Sequence, residues 1–323
     1  MNNYSWLEEK LHQFALASQF MREVSFEFEN IFVSKKNNQD DHVFISGLAR
    51  SGTTILLNAI YQSKEFASLS YDDMPFILAP NSWAKISPKN RHTRLIERAH
   101  RDGIKISSES PEAFEEVFWR TFNDGEEESG IKFKHYVQSI EVRYNKNRYL
   151  SKNNQNIRRL RLISEIFPNS KILIPFRNPI QQANSLLTQH KNFIEYSKKD
   201  NFISKYMKLI GHTEFGPHYE PINSHNLVHQ DYFSINHWLE QWYLIYLECL
   251  EKFSENKNFY FICYEDLCES KDYWFRIIKL LSLSDKYDFI FTASEKNVSY
   301  DLDANLLDRS LALYGQLGSK SYQ

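Results

Sequence analysis

Glycine and proline are scarce, nine of each in 323 residues. That excludes collagen-like and linker-rich chains and leaves little room for long unstructured connections. Cysteine is nearly absent. Cys249, Cys263 and Cys268 are odd in number and match no common zinc spacing, which argues for a reducing compartment rather than a disulfide framework. Neither sign of charge dominates, since the formal net charge is −2. No broad basic field is therefore offered to nucleic acid. No stretch approaches the roughly 20 apolar residues of a membrane span, and Met1 to Lys10 lack the apolar core of a signal peptide. A cytoplasmic protein without a transmembrane segment is expected. What the chain does have is core-building material: 42% hydrophobic residues, with 24 Phe and 19 Tyr. Its length suits one large domain or two smaller ones.

The most specific feature is Val43-Phe-Ile-Ser-Gly-Leu-Ala-Arg-Ser-Gly-Thr-Thr54. Gly47 and Gly52 have the spacing of a nucleotide phosphate loop, and Thr54 stands at its Ser/Thr position. Thr53 replaces the lysine that reaches the β- and γ-phosphates of a triphosphate. A cradle without that lysine points to a phosphate ligand lacking the triphosphate end. Val43 to Ser46 is a short apolar run that reads as a buried strand, and Ile55, Leu56, Leu57, Ala59 and Ile60 recur at helical spacing. The junction would gather backbone N–H groups and a positive helix end. Arg50 adds a fixed cation.

Strands and helices alternate along the rest of the chain. Strands are expected at 148–151, Lys171–Phe176 and 259–264, and helices at 155–167, from Asn178-Pro179 onward, at 232–253 and at 273–283. That order argues for a mainly parallel sheet with helices on both faces. Residues 4–33 read as helical, with Trp6, Leu11, Phe14 and Phe20 on one buried stripe. Residues 34–42 form a polar connector. Residues 90–99 read as a basic helix, and 110–122 as a helix capped by Ser110 with Pro111 at its first position. Residues 123–130 read as an acidic surface loop.

A second anion anchor follows the strand Lys171–Phe176. Arg177 stands at its end, Asn178 and Pro179 open the next helix, and Ser185 lies two turns in. An arginine suited to bidentate phosphate contact and a hydroxyl aimed back toward the helix start can converge on one phosphate.

Together these motifs resemble the sulfotransferase family. Arg50-Ser-Gly-Thr-Thr54 is similar to its 5′-phosphosulfate loop, with Ala49 where the family often has proline. Arg177 and Ser185 match its 3′-phosphate motif, with Asn178 in place of the common Asp. Residues 259–267 are similar to the family's strand ending in Tyr-Glu-Asp-Leu, and Tyr264, Glu265 and Asp266 are read as supporting the sheet edge. The resemblance spans residues 42–283 in blocks. It implies an α/β, P-loop-like three-layer fold with a central, mainly parallel sheet. Residues 1–323 would form one sulfotransferase domain, with an N-terminal helical extension at 1–40, a core at 42–283 and an acceptor-side insertion at 190–230. It also implies 3′-phosphoadenosine 5′-phosphosulfate (PAPS) as donor, bound by Arg50, Ser51, Gly52, Thr53, Thr54, Arg177 and Ser185, with no metal.

Sulfuryl transfer needs a base for the acceptor hydroxyl, charge stabilisation at the leaving phosphate and in-line positioning. Arg50 and Lys152 are expected to stabilise charge, Lys152 from the C-terminal end of a strand. Asp73 is the expected base, with Asp72 its rival. The surrounding Asp-Met-Pro-Phe block is similar to bacterial members tied to surface polysaccharide. A helix N-cap by either aspartate is the alternative. Asp72, His100, His212 and Glu214 are expected to contact the acceptor, a carbohydrate or glycolipid. Trp83, Trp119, Trp238 and Trp242 could stack on sugars, although core packing is the preferred reading. The rival function is a P-loop phosphotransferase or hydrolase holding magnesium on Glu265 or Asp266, and a non-catalytic scaffold is the third.

Overall fold

The computed structural model describes residues 6–33, 40–87, 96–97, 105–106, 110–112, 114–123, 125, 128–199, 201–284, 286–293 and 300–322. Among the described residues the strands are β1 (Val43–Ile45), β2 (Ile96–Glu97), β3 (Lys105–Ile106), β4 (Leu150–Lys152), β5 (Lys171–Phe176) and β6 (Phe259–Cys263). The helices are α1 (Trp6–Ala17), α2 (Gln19–Phe32), α3 (Thr53–Tyr61), α4 (Pro80–Ile86), α5 (Glu116–Phe122), α6 (Ser129–Tyr144), α7 (Leu160–Ile166), α8 (Pro179–Lys199), α9 (Asn201–Leu209), α10 (Ile235–Phe253), α11 (Tyr264–Glu269), α12 (Lys271–Leu280) and α13 (Ala304–Ser319).

The main sheet has the order β4-β1-β5-β6, and every pairing in it is parallel. A parallel sheet must be covered on both faces, and β1 shows it. Val43, Phe44 and Ile45 are all fully buried. Because side chains alternate, Phe44 enters one core with Ile172, Ile174 and Phe261, while Val43 and Ile45 enter the other with Leu150, Leu173 and Ile262. After β4 the chain crosses over β1 to form β5. Ligands in such sheets bind beyond the carboxyl ends of the strands at this kind of reversal.

Several local expectations needed correction. The N-terminal segment is two helices, not one. Ser18 caps the second, accepting from the Met21 N–H at 3.4 Å. Phe14 and Phe20 are exposed, while Ala15, Leu16 and Phe26 are buried. The helix expected from Ser110 begins only at Glu116. Pro111 instead bridges Ser70 antiparallel, and the Glu112 N–H bonds to the Leu69 carbonyl at 3.0 Å. Most of the expected helix at 90–99 lies outside the described residues, but Ile96–Glu97 is a strand paired with Lys105–Ile106. Helix α6 starts inside the expected acidic loop, and neither its full length nor α13 was anticipated. The helix expected at 155–167 is a 3₁₀ turn over Asn154–Arg158 followed by α7.

Candidate active site at the carboxyl ends of the strands

All four strands of the main sheet deliver polar residues to one edge. β1 runs into the loop 46–52, β4 ends in Lys152, β5 is followed by Arg177, and β6 by Tyr264 and Glu265. Register places Lys152 directly beside Ile45. The Ser46 N–H bonds to the Leu173 carbonyl at 2.9 Å, and the Asn153 N–H to the Ile45 carbonyl at 3.1 Å.

The loop is held by close approach. Gly52 has φ +91°, and a Cβ there would lie 2.3 Å from the Tyr264 ring. A Cβ on Gly47 would lie 2.7 Å from the Pro175 carbonyl oxygen. Arg50 also sits at positive φ, +68°, a conformation that costs a residue with a side chain on the order of 1 kcal/mol or more and that clusters at ligand sites. The amide of Gln182 on α8 fastens the loop by donating to the Leu48 and Ala49 carbonyls at 3.2 and 3.0 Å. Trp242 on α10 donates to that amide's oxygen at 3.0 Å. Helix α3 begins at Thr53 with Gly52 as N-cap and no side chain capping it. The buried hydroxyl of Ser46 makes no hydrogen bond. A loop that runs into the start of a helix with no side-chain cap suits an anion.

The two anchors meet. Arg50 Nε donates to Ser185 Oγ at 2.9 Å, so the 46–54 loop and the start of α8 share one site. Asn178 caps α8 as expected, its side-chain oxygen accepting from the Ile180 and Gln181 N–H groups at 3.1 and 3.2 Å. Glu265 accepts the Asn178 N–H at 2.9 Å and the Tyr314 hydroxyl at 3.2 Å, and lies 3.9 Å from Arg177 Nε. Arg177 is 9% exposed and its guanidinium lies over the Tyr264 ring, 5.7 Å from the centroid. Glu265 thus orients the Arg177–Asn178 turn, in keeping with the supporting role expected for that strand end.

On the other flank, Ala67 pairs with Tyr149 in the parallel sense. The segment carrying Asp72 and Asp73 follows that bridge. The Asp73 side chain, however, turns inward. It is fully buried. Its Oδ2 accepts the Ser70 N–H at 3.0 Å and the Tyr144 hydroxyl at 2.5 Å, and its Oδ1 accepts Arg143 Nε at 3.2 Å. With Ser70 it forms a capping box around the short turn Tyr71–Asp73. Burial raises its pKa, against the opposing pull of Tyr144, Ser70 and Arg143. In this geometry Asp73 forms the cap that the alternative reading described. Asp72 is half-buried beside it.

A second buried carboxylate lies next to the loop. Thr53 Oγ1 donates to Asn154 Oδ1 at 3.3 Å, and Asn154 Nδ2 donates to Glu214 Oε1 at 3.4 Å. Glu214 Oε2 is 3.2 Å from His212 Nδ1. Burial would raise the Glu214 pKa, but the combined effect of His212, Lys152 and a backbone donor brings it down to about 2. His212, Glu214 and Lys152 are therefore brought together beside Thr53. His100 lies outside the described residues. Trp119, Trp238 and Trp242 are core side chains.

The profile of the sulfotransferase family matches residues 42–208. No curated protein matches. Among solved structures, sulfotransferase STF1 from Mycobacterium tuberculosis is similar at 13% identity and TM-score 0.45, over 98% of this chain and 86% of that one. STF9 from Mycobacterium avium is similar at 11% and 0.46, over 98% and 79%. The sulfotransferase domain of the curacin biosynthetic pathway is similar at 12% and 0.42, over 86% and 97%. The family match covers more than half of the chain, and this protein belongs to the sulfotransferase family. It is a sulfuryl-transferring enzyme on a P-loop-like α/β fold.

Sequence reasoning passed over Asn154 and Gln182 as site residues. Gln182 carried a signal, since it stands three residues before Ser185 and shares its helix face. Asn154 did not, because its partners are 60 and 101 residues away.

Proposed function

We propose that this enzyme transfers the sulfuryl group of PAPS to a hydroxyl of a saccharide belonging to a bacterial surface glycan or its lipid-linked precursor. The observation that carries the donor reading is the 2.9 Å bond between Arg50 and Ser185, which joins the two phosphate anchors. Arg50, Ser51, Gly52, Thr53 and Thr54 hold the 5′-phosphosulfate through backbone N–H groups, hydroxyls and the α3 N-terminus. Arg177 and Ser185 hold the 3′-phosphate. PAPS supplies the activated sulfuryl group. Lys152, buried at the end of β4 beside the loop, meets the negative charge that grows on the leaving phosphate, and Arg50 shares that task. The acceptor enters over Asp72, His212 and Glu214. Its saccharide nature is supported by the resemblance of the 73–76 block.

Thermal unfolding with 3′-phosphoadenosine 5′-phosphate (PAP), together with transfer of labelled sulfate from PAPS to a panel of sugars, tests this reading. PAP is expected to raise the unfolding temperature. Arg177→Ala should weaken PAP binding about 10–100-fold, since hydrogen bonds to charged groups contribute about 1.5–3 kcal/mol and 1.4 kcal/mol is tenfold. Stabilisation by magnesium-ATP but not by PAP would favour a phosphotransferase instead. Thr53 in the lysine position and the Asn178 and Tyr314 contacts on Glu265 weigh against that outcome.

A further inference from the structure

We infer that Glu115 and Glu116 are positioning residues that set Lys152 against the donor cradle. The inference rests on the sulfuryl-transfer reading above and deepens it, since it concerns what fixes the cation at the leaving phosphate.

Strand β4 is three residues long and stands at the edge of the main sheet. Its last residue, Lys152, is paired with Ile45 of β1. Side chains supply a further hold. They alternate across an extended chain, and Asn153 is still extended, so residues 149, 151 and 153 share one face. All three bond to the two adjacent carboxylates at the start of α5. The hydroxyls of Tyr149 and Ser151 both donate to Glu115 Oε2, the first at 3.0 Å. Asn153 Nδ2 donates to Glu116 Oε2 at 2.8 Å. Alternation sends Lys152 to the opposite face, with Ile45 and Leu150, which pack with Leu56 and Leu57 of α3. The residues on either side of Lys152 are thus fastened on one face. The lysine is directed to the other, where the helix that opens the cradle lies. A slip of one residue would exchange the two faces.

The carboxylates are themselves locked. Glu115 is buried, and its Oε1 accepts Trp119 Nε1 at 2.9 Å and Asn156 Nδ2 at 2.6 Å. Glu116 accepts two bonds from the Arg159 guanidinium, at 2.7 and 3.1 Å. Gly211, at φ +80°, closes over the Glu116 stem, since a Cβ there would lie 2.7 Å from Glu116 Cγ. Asn153 also caps the 3₁₀ turn Asn154–Arg158, its Oδ1 accepting the Gln155 N–H at 3.0 Å. The first residue of that turn, Asn154, is the one bonded to Thr53 and Glu214. One pair of carboxylates therefore governs both Lys152 and the contact beside it. Apolar packing of the same volume is often at least as stable as buried charge. Two buried carboxylates under the strand end that carries the buried Lys152 are accounted for by placement.

The test cuts these bonds at the ends that leave both carboxylates their other partners. Ser151→Ala removes the hydroxyl. Asn153→Ser removes the amide donor and keeps a capping oxygen. The two substitutions are made together in wild type and in Lys152→Ala, and the full chain is measured by calorimetry with PAP and by sulfate transfer from PAPS. In wild type they should weaken PAP binding several-fold and lower kcat by up to about 10²-fold, the effect of misplacing a group by about 1 Å, with the acceptor KM little changed. In Lys152→Ala they should alter neither PAP affinity nor kcat further, because the group through which they act is gone. A merely structural role would lower the unfolding temperature and act alike in both backgrounds, so equal fold-changes in the two overturn the inference. A folded double variant with wild-type PAP affinity and kcat overturns it too. If the double variant does not fold, Asn153→Ser alone runs the same cycle. If Lys152→Ala binds PAP and turns over as wild type does, the role proposed for Lys152 fails and takes this inference with it. If PAP does not stabilise wild type, it is the donor reading that has failed. If Lys152→Ala is impaired and the effects simply multiply, only the assignment of Glu115 and Glu116 falls.

Discussion

The donor side and the acceptor side of the site are built in opposite ways. On the donor side each anchor is a strand end running straight into a helix start, β1 into α3 and β5 into α8, and the residues that matter stand within ten positions of one another. On the acceptor side the polar groups are brought together from far apart: Asp73 with Tyr144, 71 residues on, and Asn154 with Glu214, 60 residues on. Backbone geometry dictates residue identity in the first case, and distant partners dictate it in the second. The two buried carboxylates show the consequence. Asp73 has a raised pKa and Glu214 one lowered to about 2, although both are buried. Glu214 has His212 and Lys152 within its field, whereas Asp73 relies on Tyr144, a backbone N–H and the single cation Arg143.

The strongest way to break the donor side is Gly52→Ala. It puts a side chain at φ +91° and a methyl group 2.3 Å from the Tyr264 ring. The loop and α11 cannot both keep their places, so PAP-induced stabilisation should vanish altogether. Retained PAP binding, read by thermal shift, would mean that the close packing of Gly52 on Tyr264 is not needed for the cradle. On the acceptor side the informative change is Asp73→Asn. Asp73 caps with three donors, and replacing one of its accepting oxygens by an amide donor should cost about 1–3 kcal/mol of stability, with PAP binding intact and kcat of the folded enzyme near wild type. A collapse of kcat with unchanged unfolding temperature would instead make Asp73 the base, swung outward when acceptor binds.

The same division explains what could be read in the chain beforehand. The phosphate loop, the strand Lys171–Phe176, the cap by Asn178 and the parallel sheet follow from period, glycine placement and capping chemistry, all of which act over a few residues. The helical break at Ser18 was missed because both halves have helical period and only the cap marks the change of phase. Pro111 reads as a helix start but is used to bridge Ser70, a tertiary pairing that local propensity does not contain. Asp72-Asp73 signalled either chemistry or a cap, and the partners that decide between them, Arg143 and Tyr144, lie on α6, a helix whose pattern is too polar to stand out.

The smallest expected effect is also the one that isolates the field around Glu214. Its pKa is lowered from 4.5 to about 2 in the folded protein. A carboxyl with a depressed folded value contributes stability that is fully present above the unfolded pKa and lost as pH falls toward the folded one. Acid titration of stability from about pH 4.5 to about pH 2 should therefore show a loss that Glu214→Gln partly removes. Asp73 has the opposite sign. Its raised value favours the protonated folded state, so its share of stability declines as pH rises above the ordinary carboxyl range. Measured together, the Glu214→Gln and Asp73→Asn variants should thus bend the stability–pH curve in opposite directions. Curves that shift in parallel would show that the two sites do not differ in their electrostatic surroundings as the structure has them.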